Sequence, residues 1–147
     1  MTRRPGVLSA VALGISCLSC SDQGPKGACP TASSVEATVT VGSSVVFNWE
    51  PNCAVALLLV EQNGSDEWAI ADPTLSNTST EAVNKILPPV TYGQVPSGVD
   101  EDPPSSALVP GQSYTLVLWK LVPAGSTVQC QQNIDNACLL AVKAFQR

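Results

Sequence analysis

Six cysteines have the most chemistry open to them in this chain: Cys17, Cys20, Cys29, Cys53, Cys130 and Cys138. A nucleophilic thiolate needs a neighbouring base, and the chain holds no histidine, the commonest general base and a common metal ligand. A four-thiolate zinc site usually includes two cysteines only a few residues apart, and Cys29, Cys53, Cys130 and Cys138 are spaced too widely for that. The chemistry left to these four is oxidation. They can pair in three ways; the expected bridges are Cys130–Cys138, closing a short hairpin, and Cys29–Cys53, with zinc or free thiols as the alternatives. Carboxylates offer less. Asp100-Glu101-Asp102 lacks the spaced ligands and glycine of a calcium loop and reads as a solvated loop tip. Asp66 and Glu67 are adjacent on a strand, so they point to opposite faces and do not make an acid–base pair. No G-x-S-x-G elbow occurs. No catalytic, cofactor-binding or metal-ligating residues are expected.

The first twenty residues place the cysteines in a compartment. Arg3 and Arg4 precede a run of apolar and small residues over 7–18, and polar Ser21-Asp22-Gln23-Gly24 follows Cys20. A basic start, a short apolar stretch and small residues at its exit describe an export signal. The apolar run is shorter than the ~20 residues of a membrane-spanning helix. Its end on cysteine resembles the lipobox of bacterial lipoproteins, in which that cysteine becomes the lipidated N-terminus. Cys20 suits this role, with Cys17 as the alternative, and choosing Cys20 leaves an even number of cysteines behind it. The resemblance implies a membrane anchor through an N-terminal lipid and a place in the cell envelope, at the outer membrane or cell surface; simple secretion is the alternative. Disulfides persist in such a compartment.

Composition bounds the rest. Of 147 residues 44% are hydrophobic and 13% charged, which suits one packed domain with a short extra segment. The formal charge of −5 becomes −7 without Arg3 and Arg4, and an acidic chain repels phosphate backbones, so nucleic acid is not an expected partner. The organisation expected is a signal peptide over 1–19, a Gly/Pro/Ser-rich flexible tether over 20–34 and a domain over 35–147.

The elements of that domain read as strands. Period-two alternation or short apolar runs bounded by turn residues cover 35–41, 45–49, 54–60, 67–70, 90–95, 114–121 and 139–145. Before the sixth of these runs Leu108-Val-Pro110-Gly111-Gln-Ser-Tyr114, a tight turn leading into alternating apolar residues. This stretch resembles the E–F corner of fibronectin type III domains, and Trp49 just before Pro51 resembles the close of their strand B. The resemblance implies an all-β, immunoglobulin-like sandwich of about seven strands. It also implies a tyrosine corner in which Tyr114 bonds back to the backbone near Leu108.

One pattern bears on function. The strand over 114–121 sets Tyr114, Leu116 and Leu118 on one face and Val117, Trp119 and Leu121 on the other. Its expected neighbour, 54–60, is likewise apolar on both faces, where a half-solvated sheet would alternate apolar with polar. Either the long excursion 72–106 folds over the second face, or Val117, Trp119 and Leu121 form a docking surface for a protein or other envelope partner. The expectation is a non-catalytic binding or structural module; a small-ligand or metal carrier and a carboxylate-based hydrolase are the alternatives.

Overall fold

The computed structural model of this chain describes residues 27–29, 35–73, 84–122, 133–134 and 137–147. Among them there is no α-helix. The strands are β1 (Glu36–Val41), β2 (Val45–Glu50), β3 (Leu57–Gln62), β4 (Ser65–Ala71), β5 (Val90–Thr91), β6 (Asp100–Glu101), β7 (Ser113–Leu121), β8 (Asn133–Ile134) and β9 (Ala137–Gln146). One antiparallel sheet has the order β1-β2-β5, and the other the order β6-β4-β3-β7-β9-β8. The sheets share one apolar core and form a β-sandwich. The seven strands legible in the sequence are β1 to β5, β7 and β9, while β6 and β8 are two-residue additions.

Alternation sets the inward face. In β2, Val45, Phe47 and Trp49 are buried while Asn48 and Glu50 are exposed. In β7, Tyr114, Leu116 and Leu118 point into the same core, which β3 fills from beside it with Leu58 and Val60. Aromatic rings link the two sheets: Phe47 lies 6.4 Å from Trp68 and 5.7 Å from Phe145, and Phe145 lies 5.7 Å from Tyr114. Asn63 (φ 53°) and Gly64 (φ 80°) turn β3 into β4, the positive-φ pair that a two-residue hairpin requires.

Three expectations need correction. The strand expected over 54–60 starts at Leu57, because Ala54 and Val55 form isolated bridges with Ala28 and Ile86. Val55 therefore enters the core with Leu58 and Val60, out of phase with Leu57 and Leu59. The strand expected over 90–95 ends at Thr91, where the chain turns through Tyr92 and Gly93. The acidic cluster is not a free loop tip: Asp100 and Glu101 pair with the edge of β4, and Glu101 Oε1 accepts the Trp68 indole N–H at 2.7 Å and the Ser105 N–H at 3.2 Å. The indole of Trp68 is fully buried, and a buried N–H requires an acceptor.

The strands give the sandwich two distinct ends. At one end β2 leads to Cys53, β7 closes at Leu121 and β9 begins at Ala137, next to Cys138. At the other lie the β1–β2 turn, the Asn63–Gly64 hairpin, the corner before β7 and Arg147, whose guanidinium donates to the Gly42 carbonyl.

Candidate docking face

Each residue singled out in the sequence has a definite place except those outside the described residues, which are Cys17, Cys20 and Cys130. At the corner, Gly111 takes φ 82°, Pro110 is exposed and Leu108 packs half-buried against the core. Tyr114 is 3% exposed, and its hydroxyl oxygen accepts the Val109 N–H at 2.9 Å. Glycine provides the left-handed turn at low cost, and the tyrosine satisfies a backbone donor that the turn leaves without a strand partner.

At the opposite end a clamp holds residues 27–29, the described part of the N-terminal segment, or leader, that precedes β1. Cys29 and Cys53 form a disulfide with Cα atoms 4.7 Å apart. Cys29 N–H donates to the Ala54 carbonyl and Ala54 N–H to the Gly27 carbonyl, each at 3.0 Å. Trp49 Nε1 donates to the Cys53 carbonyl at 2.8 Å. Lys120, 3% exposed, donates from Nζ to the Cys29 carbonyl at 2.6 Å. Burial away from water lowers the pKa of this ammonium. Cys138 is also disulfide-bonded, to a partner outside the described residues.

The outer face of the larger sheet is apolar in two rows across its four long strands. Register places Ala71, Leu57, Trp119 and Leu139 side by side across β4, β3, β7 and β9. The next row towards the corner end is Ala69, Leu59, Val117 and Val142. Across these four strands neither row contains a polar residue; beyond Ala71 the first row ends in the exposed Asp100 of β6. A polar edge begins with Glu61 and Thr115 in the row after that. Leu57, Leu59, Trp119, Leu121 and Leu139 are half-buried, and Val142 is 60% exposed. Of the three residues expected on this face, Trp119 and Leu121 present accessible surface. Val117 is only 7% exposed, so it serves as the floor of the face rather than a contact.

The described part of the 72–106 excursion is occupied elsewhere. Ile86 bridges Val55, β5 joins the smaller sheet, and β6 extends the edge of β4. Asn84 acts as a surrogate strand partner: its Oδ1 accepts the Leu121 N–H at 3.0 Å and its Nδ2 donates to the Leu121 carbonyl at 3.3 Å.

Sequence reasoning found the β3 and β7 contributions to this face and missed those of β9. Leu139 and Val142 are three residues apart, so strict alternation would put them on opposite sides of the sheet. The register of β9 slips by one residue at this point: Leu118 faces Ala141 while Trp119 faces Leu139. The bulge brings both side chains to the outer face. The β4 alanines carry no apolar signal strong enough to single them out. No protein-family model, no curated protein and no solved structure matches this chain.

Proposed function

We propose that this chain is an exported, lipid-anchored β-sandwich of fibronectin type III-like build that serves as a non-catalytic binding module of the cell envelope. The two apolar rows that cross β4, β3, β7 and β9 on the outer face of the larger sheet carry the reading. A contiguous apolar outer face on a domain is a mark of an interaction site, and the large aromatic on it, Trp119, is of the type that dominates binding energy. The export signal and the cysteine at its end support the address. The Cys29–Cys53 disulfide suits an oxidising compartment. The fibronectin type III-like build is supported by the grouping of β1, β2 and β5 against β4, β3, β7 and β9, and by the hydroxyl of Tyr114 on the corner backbone.

Trp119→Ser tests the docking role. Because the indole is half-buried on an outer face, the variant should keep its fold and lose at most ~2 kcal/mol of stability, less than a fully buried indole costs. Capture of envelope partners by the native chain should fall away in the variant. A variant that unfolds would make Trp119 a core residue. One that folds and captures the same partners would end the docking reading.

A further inference from the structure

We propose that the occupant of the apolar face is a second copy of this chain, packed sheet to sheet about a two-fold axis parallel to the strands. This rests on the docking reading above and names the partner. A twisted sheet with an apolar outer face has a standard solution, which is to stack on another sheet of the same twist at roughly 10 Å. The face is self-complementary under that operation. A two-fold along the strands reverses strand order while preserving each row, so β4 of one copy lies over β9 of the other and β3 over β7. Ala71 then receives Leu139, Ala69 receives Val142, and Leu57 meets Trp119. The small side chains sit on one flank of the sheet and the bulky ones on the other, so the steps in the two surfaces interlock.

Charge agrees with this pairing. The chain carries a net negative charge, yet the two rows bear none across β4, β3, β7 and β9. The carboxylate that ends the first row, Asp100 on the edge strand β6, falls at opposite flanks in the two copies, so they meet without opposing like charges. In the bordering row the same operation sets Glu61 over Thr115 rather than over another carboxylate. The chain upstream selects the axis. Residues 27–29 join the domain at the disulfide end, with 26 residues preceding them. A two-fold parallel to the strands leaves both leaders at the same end, so two copies anchored in one membrane can pair. An axis across the strands would send the leaders to opposite ends. The pairing is isologous and closes at two copies.

The test uses the full chain in mild detergent. Sedimentation equilibrium should show a dimer. Val142→Glu should weaken it on the order of 100-fold by burying two uncompensated carboxylates, while the melting curve recorded at dilutions where both proteins are monomeric stays unchanged because Val142 is exposed in the single copy. Chains carrying Ala71→Cys mixed with chains carrying Leu139→Cys should form a bond between the two kinds of chain under mild oxidation. This second measurement decides the matter if Val142→Glu fails to fold. A native chain that stays monomeric at about 100 μM would overturn the proposal, as would a dimer indifferent to Val142→Glu or one giving no 71-to-139 bond. A monomeric native chain whose partner capture is still lost in Trp119→Ser would overturn the pairing alone and leave the docking reading standing.

Discussion

Tyr114 shows how much structure a single side chain can specify. Its ring stacks on Phe145 with centroids 5.7 Å apart, and its hydroxyl oxygen accepts the Val109 N–H. Proline, a positive-φ glycine and this tyrosine all act within seven residues, which is why the corner is legible from the sequence. Tyr114→Phe should keep the stacking and leave the Val109 N–H without its acceptor. Thermal or urea unfolding should register a loss of about 1 kcal/mol. An unchanged midpoint would mean that water replaces the hydroxyl at no cost. Lys120 is the opposite case. Nothing near it in sequence announces a buried ammonium, because its burial depends on the leader residue Cys29 lying over it, a contact between positions 91 residues apart.

Among the elements, β7 and β3 were readable because continuous apolar strands keep a strict period of two. β9 keeps that period only on either side of its bulge, so its contribution to the outer face needed the sheet itself. The short β5 and β6 are defined by what they pair with more than by their own residues, which is why the excursion around them could not be assigned in advance. The clamp formed by residues 27–29, β7 and Cys53 has a consequence for pH. The Lys120 ammonium has its pKa lowered from 10.5 by burial. Between that depressed value and 10.5 the unfolded chain binds more protons than the native one, so stability rises with pH across the window and is lost as pH falls through it. Lys120→Met removes this slope and also leaves the Cys29 carbonyl without its donor. The stability of the native chain minus that of the variant should therefore grow as pH rises towards 10.5. Tyr92, its pKa raised above 10.0 chiefly by burial, acts in the opposite direction in both proteins and cancels in the difference. A difference that stays flat with pH would place the ammonium in water.

At the scale of the whole molecule, the disulfide end holds the leader and the corner end lies furthest from it, with the apolar rows nearer the leader. If Cys20 carries the lipid, Cys20→Ser should release the chain from membranes or block its processing, and fatty-acid labelling should vanish. Label that persists in Cys20→Ser and disappears in Cys17→Ser would move the anchor to Cys17. On the proposed reading, with one end held by a membrane and another surface gripped by a partner, the chain would be under tension, and the clamp would decide where that tension goes. A pull on the leader first shears the bond from Ala54 N–H to the Gly27 carbonyl and then meets the covalent bridge at Cys29. The load passes through Cys53 into the β2–β3 connection and never reaches β1, the edge strand that would otherwise be unzipped from β2 one hydrogen bond at a time. The bridge works as a strain relief, like the knot that keeps a tugged cord from working loose at its terminals.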